Sequence, residues 1–207
     1  MAENDSWIPL FPLNAVLFPA GMLSLRVFEA RYVDMVSECL KRNAPFGVAL
    51  IRSGSEVGAT AEPEAVGCIA HIEHTDMTDP GILSIMVRGG ERFRILETRE
   101  LPGHRLEARI EKIPADGAAP LNDMHVRCAK ALKAVIDDIN AKARGAADNP
   151  LKGRFAAMAL DNTGWVANRW CEILPIPLKA RQKLLELESA RSRLEIVYRY
   201  LQQHAIL

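Results

Sequence analysis

The chain has 207 residues, and its 26 basic side chains are balanced by 26 acidic ones, so its formal net charge is zero. This balance argues against strong non-specific binding to nucleic acids or membranes through overall charge, although it is compatible with a local basic patch. A hydrophobic fraction of 49% is typical of a globular protein that buries a substantial core.

The spacing of the cysteines argues against a zinc site and against a disulfide framework. The four of them lie far apart, and no two are separated by only two residues: Cys39, Cys68, Cys128 and Cys171. A zinc site built on paired cysteines is therefore not expected, nor is the disulfide framework that holds many small secreted chains together. We predict a protein with neither metal nor cofactor, whose cysteines pack as small core residues.

The amino-terminal segment is rich in Leu, Phe and Ile and could be mistaken for a secretion signal. Glu3 and Asp5 stand where such a signal needs positive charge, and Pro9 and Pro12 interrupt any helix. No uninterrupted apolar run in the sequence reaches the ~20 residues that a membrane-spanning helix needs. We therefore predict a cytoplasmic protein that does not associate with membranes.

Extended structure with proline corners is predicted for residues 7–27, and a helix for residues 28–42. Apolar side chains at helical spacing indicate the helix, namely Tyr32, Met35, Val36, Cys39 and Leu40. At its start, an ion pair between Glu29 and Arg26 would tie the preceding strand to the helix. We favour this structural role for Glu29, Arg26 and Arg31 over a catalytic acid with an anion-binding site.

Five further strand patterns follow along the chain. They cover residues 46–51, 66–73, 82–88, 92–98 and 104–113, with a loop over residues 52–65 and a turn at residues 79–81. The Gly89-Gly90 pair either turns the chain or bends a continuing strand. Residues 104–113 alternate apolar and charged side chains, which is typical of an antiparallel sheet or barrel wall with one wet and one dry face.

Two histidines near the end of one predicted strand could suggest a metal site. His71 and His74 point to opposite faces of a regular strand, so they converge on one ion only if the strand contains a bulge. We interpret them, together with Asp76 and Asp79, as solvated polar residues at a loop end.

Helical spacing replaces the strand pattern in the last third of the chain. Helices are predicted over residues 121–143, 165–174, 178–188 and 189–204, and a short one is marked by Leu151, Phe155, Met158 and Ala159. Asn122 or Asp123 can cap the first of them, and Asn162 is among those that can cap a later one. This order indicates an α+β protein, with a β-rich domain over residues 1–118 and a helical domain over residues 119–207.

A family resemblance runs along nearly the whole chain. Residues 8–13 read Ile-Pro-Leu-Phe-Pro-Leu, and residues 25–32, after a further proline at position 19, read Leu-Arg-Val-Phe-Glu-Ala-Arg-Tyr. Supporting matches follow at residues 46–48, 66–70 and 181–186. The sequence thereby resembles the amino-terminal, substrate-binding domain of the Lon proteases. The resemblance implies a small antiparallel β pseudo-barrel of PUA-like type with one early helix, followed by a C-terminal helical bundle.

The resemblance also implies a recognition module. Such a module is non-enzymatic, binds protein or unfolded peptide segments as a substrate-recognition or adaptor protein, and could have a separate protease as a partner. The phosphate-loop motif GxxxxGK[ST] is absent from the sequence. Asp116-Gly117 superficially resembles part of the Lon catalytic segment, but no serine follows it. We therefore expect a free-standing module with neither ATPase nor protease activity.

Apolar side chains at predicted turns supply the candidate binding residues. Phe18, Met22 and Leu23 flank the turn around Gly21, and Met77 lies in a second, polar turn. Residues of this kind at loop tips can form a patch that binds peptide segments, or they can close the open ends of a small barrel. Both interpretations fit the sequence.

RNA binding is the alternative function, since PUA-like barrels are often used for RNA. Three arginines and an aromatic residue cluster around Gly89-Gly90, namely Arg88, Arg92, Phe93 and Arg94. Phosphate contacts combined with base stacking would suit a nucleic-acid surface. Acidic residues interleave with the arginines, however, and Phe93 shares a strand face with Ile95. A solvated outer face with Phe93 in the core is therefore the favoured interpretation.

Overall fold

The computed structural model describes residues 7–56, 58, 61–79, 81–117, 122–143 and 158–207. Contacts within the chain define two units, Met1–Ala115 and Asp116–Leu207, whereas the sequence places the boundary after residue 118. Among the described residues, the first unit (the strand unit) contains a six-stranded sheet and one helix, and the second (the helical unit) contains four helices. Pro80 and most of the short helix predicted near residue 155 lie outside the described residues.

The sheet of the strand unit is mixed. Its strands are β1 Trp7–Leu13, β2 Met22–Val27, β3 Phe46–Ser53, β4 Glu62–Asp79, β5 Ile82–Leu101 and β6 Arg105–Lys112. They lie in the order β2-β5-β4-β3-β1-β6, and β5 also pairs with β6. The prediction of a purely antiparallel sheet is wrong for one pair, because β1 and β3 are parallel. The stretch between these two strands contains β2 and a helix, which gives the long connection that parallel neighbours require.

The Gly89-Gly90 pair bends a continuing strand instead of turning the chain. The two predicted strands over residues 82–88 and 92–98 are both parts of β5, and β4 shows a register shift between Cys68 and Ala70 opposite the glycines. A side chain at position 89 would place its Cβ 2.1 Å from the carbonyl oxygen of Phe18. Glycine is therefore required here for the close approach of two backbones.

Helix α1, Ala30–Arg42, covers the core of the strand unit. Its buried stripe is formed by Tyr32, Met35, Val36 and Cys39, as predicted, and it packs in one cluster with apolar side chains of the strands. The predicted fifth member, Leu40, is 43% exposed, because an apolar spacing of eight residues drifts to the edge of a stripe with 3.6 residues per turn. The helix ends at Asn43, whose left-handed backbone lets its N–H bond the last carbonyls.

The helical unit contains α2 Asp123–Ala143, α3 Thr163–Ile173, α4 Leu178–Glu186 and α5 Ala190–Gln203. The predicted caps are confirmed: Asn122 Oδ1 accepts from the backbone N–H of His125, and Asn162 Oδ1 from that of Trp165, at 2.9 and 2.8 Å. Trp170 is 2% exposed, and its Nε1–H donates to the carbonyl of Cys128. None of the described helices combines the length and apolar composition needed to cross a membrane.

Candidate functional site

The apolar residues predicted from the sequence to bind peptide segments differ in how exposed they are. Phe18 is fully buried, so it cannot belong to an exposed patch for peptide segments, which was one of the two interpretations left open by the sequence. It occupies the first position of a turn closed by the bond from Gly21 N–H to its carbonyl, which leaves only the next two residues at the tip. Met22 and Leu23 are half-buried on β2, where Leu23 packs against the main core cluster. Met77, on β4, is 72% exposed.

The two nominated arginines also differ in exposure. Arg92 is 3% exposed, so its prediction as a surface residue is wrong. It lies beside the fully buried Phe93, and two consecutive buried residues break the alternation expected of a regular strand. Arg88 is exposed, and its Nε donates to Glu73 at 2.7 Å. Arg88 is the cross-strand partner of Met22, so these two nominated residues do lie together.

The third arginine of the predicted cluster, Arg94, pairs with Glu111. Two arginines of the neighbouring strand β6 are also paired, Arg105 with Glu38 and Arg109 with Glu97. Phe93 is in the core, as the favoured interpretation predicted, and cannot stack on a base. The geometry around Gly89-Gly90 therefore adds no support to the RNA alternative.

The opening of α1 is held by a different ion pair from the one expected. Glu29 pairs with Arg31 at 2.9 Å, and the side chains are only 20% and 8% exposed. The Arg31 guanidinium also donates to the carbonyl of His104 at 3.2 Å, which ties the start of α1 to the turn between β5 and β6. These contacts give Glu29 and Arg31 a structural role. Among the described residues, no group of three His, Cys, Asp or Glu side chains could hold a metal ion.

Cys39, Cys128 and Cys171 do not supply a reactive thiolate at neutral pH. All four cysteines are free and buried. Burial raises the pKa of Cys128 to about 11 and that of Cys171 to about 12, and desolvation also raises the pKa of Cys39. A nucleophilic cysteine needs the opposite shift, since the thiolate is the reactive form.

An apolar groove lies between α4 and α5 in the helical unit. Its volume is about 340 Å³. Its floor is formed by Leu174, Leu184 and Val197, all of them buried. Its more accessible walls come from Ile176, Ala180, Leu187, Ile196 and Tyr200. Lys183 is the sole charged residue of the lining, and its ammonium pairs with Glu186 at the surface. We call this feature the α4–α5 groove.

Two arginines fix the walls of the α4–α5 groove. The buried Arg193 of α5 donates to the carbonyls of Leu184 and Leu187, at 3.0 and 2.7 Å. Arg181 of α4 donates to the carbonyl of Leu174 at 3.0 Å, where α3 has just ended. Each bond satisfies a carbonyl near a helix end, which lacks an intrahelical donor. The groove is thus held open by side chains that do not line it.

Sequence reasoning missed this groove, although the sequence carries two signals of it. Ile196 and Tyr200 stand four residues apart on α5, away from the stripe that includes Leu194 and Leu201, and so they form a second apolar face. Ile176 stands between two prolines, which keep it out of both neighbouring helices. Ile196 is 45% exposed, and it lines the groove together with other apolar side chains.

Residues 7–203 match the family model described as the substrate-binding domain of the ATP-dependent protease La (LON). The Lon protease of Syntrophus aciditrophicus is 28% identical over 203 residues, which are 90% of this chain and 24% of that protein. The chain therefore spans about a quarter of the length of this relative.

Two solved structures share the fold. The Lon N-terminal domain protein from Xanthomonas campestris has a TM-score of 0.74 and 30% identity, covering 93% of this chain and 96% of its own. The N-terminal domain of the Mycobacterium avium complex Lon protease has a TM-score of 0.65 over 96% of this chain and 100% of its own, with 16% identity. The latter identity is informative about the fold alone.

Proposed function

This chain belongs to the family of Lon substrate-binding domains, and from that premise we propose that it recognises unfolded protein or peptide segments through the α4–α5 groove. The observation that carries the proposal is the lining of the groove, where apolar walls stand open to solvent in a domain of a substrate-binding family. The occupant we assign is an unfolded segment that inserts aliphatic or aromatic side chains.

The dimensions and chemistry of the groove support that occupant. Its volume of about 340 Å³ lies at the low end of the roughly 300–1,000 Å³ typical of ligand sites. A lining with a single charged residue, already paired at the surface, favours apolar side chains over a polar metabolite. Folded proteins bury such side chains, whereas unfolded segments expose them.

The proposal describes binding without catalysis. Burial raises the pKa of the Cys39, Cys128 and Cys171 thiols, and Glu29 and Arg31 are engaged in structural contacts, which supports a non-enzymatic role. Free cysteines suit a reducing compartment, and we propose the cytoplasm as the site of action. We also propose that a separate protease receives the bound segments. The return pairing of β5 with β6 supports a PUA-like pseudo-barrel for the strand unit.

A binding assay with a permanently unfolded protein tests the groove. The probe is reduced and carboxymethylated lactalbumin, with native lactalbumin as the folded comparison. We expect saturable binding of the unfolded form alone, and we expect Ile196→Asp to weaken it about tenfold or more, which corresponds to about 1.4 kcal/mol.

The chain offers a matched control at its carboxyl end. Ile206 is 46% exposed and Ile196 is 45% exposed, but only Ile196 lines the groove. Ile206→Asp should therefore leave the affinity unchanged. Equal weakening by both substitutions, or equal binding of folded and unfolded lactalbumin, would contradict the proposed site.

A further inference from the structure

Strand β2 lies at one end of the sheet and leaves an open edge. Among the described strands it pairs with β5 alone. The hydrogen bonds between β2 and β5 show which backbone N–H and C=O groups face the open edge. Gly89 N–H donates to the carbonyl of Gly21, and bonded and non-bonded pairs alternate along antiparallel strands. Leu23 and Leu25 therefore point their backbone groups toward β5, and Met22 and Ser24 point theirs toward the open edge.

This edge has less of the protection that exposed edges commonly have than the other open stretch of the sheet. A second open stretch lies on β4, where the pairing with β3 ends at Ala70. It carries exposed polar and charged residues, namely His71, Glu73, His74, Thr75 and Asp76. Such charges discourage the addition of another strand. β2 has no acidic residue, no lysine and no proline, and its exposed charge is that of Arg26.

We propose that the open edge of β2 receives an extended protein segment as an added strand. Only an extended backbone matches a row of alternating N–H and C=O groups, so the edge itself selects an unpaired polypeptide. This inference adds a second recognition surface to the proposed function, lies in the strand unit, and does not depend on the groove.

Side chains along β2 define which segments fit. Leu23 and Leu25 are half-buried on the core side, so the neighbouring residues of an added strand should be apolar. Ser24 and Arg26 are exposed on the other side, where an acidic neighbour is favoured over a basic one. Phe28, directly after β2, is 58% exposed and offers an aromatic contact at the end of the added strand. The partner is thus an extended segment that alternates apolar with acidic or neutral polar residues.

Residue-resolved amide hydrogen exchange tests the geometry. The probe is a fluorescein-labelled decapeptide in which valine alternates with threonine and aspartate. We expect saturable binding by fluorescence anisotropy and at least tenfold slower exchange at the amides of Met22 and Ser24. The amides of Leu23 and Leu25, already bonded to β5, should change much less. Binding without protection at Ser24, or no saturable binding, would overturn the inference.

Substitutions at Ser24 provide the matched variants. Ser24→Pro removes the outward N–H and is compatible with an edge strand, so it should reduce the affinity at least tenfold. Ser24→Thr keeps the N–H and should bind as the parent does. A decapeptide N-methylated at alternate residues repeats the test on the unchanged protein. When the methylated residues are those whose N–H groups would face β2, the peptide should not bind. If the Ser24→Pro protein and this methylated peptide both bound as the parent molecules do, the inference would be overturned.

Two further outcomes distinguish peptide binding at the β2 edge from binding in the groove and from pairing between two copies of the chain. Ile196→Asp in the groove should leave decapeptide binding intact, whereas a parallel loss would assign the peptide to the groove and overturn the edge proposal. Sedimentation without peptide should show no dimer that depends on Ser24. A dimer abolished by Ser24→Pro would assign the edge to a second copy of this chain and would also overturn it.

Discussion

The guanidinium of Arg193 lies 2.9 Å from the carboxylate of Asp116, and these side chains are only 0% and 10% exposed. The same guanidinium donates to Asn168 Oδ1 and to the carbonyls of Leu184 and Leu187. A single side chain thereby donates hydrogen bonds to carbonyls at the end of α4, bonds a side chain of α3 and forms an ion pair with a buried carboxylate. Because α4 and α5 form the groove walls, this contact set controls the shape of the groove.

Replacing Arg193 with methionine should destabilise the protein strongly. Arg193→Met removes the buried ion pair with Asp116 and the hydrogen bonds to two carbonyls, so we expect the free energy of unfolding to fall by about 3–5 kcal/mol. Urea denaturation followed by tryptophan fluorescence measures this. Arg191→Met is the control, since Arg191 pairs with Glu195 at the surface and such pairs contribute less than about 1 kcal/mol. Similar losses of unfolding free energy in the two variants would contradict the stabilising role given to the buried contacts of Arg193.

Substitution of Gly89 should be among the most damaging single changes in the strand unit. Gly89→Ala places a Cβ 2.1 Å from the backbone oxygen of Phe18, which cannot rotate away as a side chain could. We expect a loss of at least about 2–3 kcal/mol in the free energy of unfolding. Gly117→Ala is the comparison, because nothing lies within 4 Å of its added Cβ. A Gly89→Ala protein as stable as Gly117→Ala would show that the two backbones can separate at little cost.

Ala20 should be replaceable by glycine with a gain in stability. It follows Pro19 in the turn from Phe18 to Gly21 and has a φ of 59°, in the left-handed region that this turn position requires and that favours glycine. Ala20→Gly should raise the free energy of unfolding by up to about 1 kcal/mol. Thermal denaturation would show it as a higher midpoint. Ala61→Gly, at a buried position without a positive φ, should lower the midpoint instead.

Local patterns in the sequence predict the helices well. The apolar stripe of α1 and the caps at Asn122 and Asn162 depend on residues within one or two turns of each other, and the structure confirms them. The helix predicted over residues 189–204 is likewise present, as α5 Ala190–Gln203. Such features depend on spacing and capping chemistry that a short window of sequence contains.

Features that depend on distant partners were not predictable in the same way. Whether Gly89-Gly90 turns or bends the chain is decided by its register against β4 and by the carbonyl of Phe18, far away in sequence. The burial of Arg92 and the shape of the α4–α5 groove likewise depend on how elements pack. The family resemblance, in contrast, is confirmed, because its motifs are contiguous residues and the family model matches residues 7–203.

The buried thiols should make the protein lose stability in alkali. Burial raises the pKa of Cys171 from 9.0 to about 12 and that of Cys128 to about 11. Between pH 9 and these values the unfolded state releases a proton that the folded state keeps. The stabilisation is therefore complete below pH 9 and is lost as the pH rises, by about 1.4 kcal/mol per pH unit for each thiol.

Cys171→Ala isolates this effect. Comparing pH 7 with pH 10.5 within each variant cancels the cost of the lost sulfur, and the alkaline loss in urea denaturation should be about 1–2 kcal/mol smaller in Cys171→Ala than in the parent protein. Val166→Ala, a buried substitution on the same helix without a titrating group, should keep the parent's pH dependence because only packing changes. If Cys171→Ala instead lost as much stability in alkali as the parent, the thiol would be ionising freely in the folded state, and the packing of α3 around Cys171 would have to be looser than the structure shows.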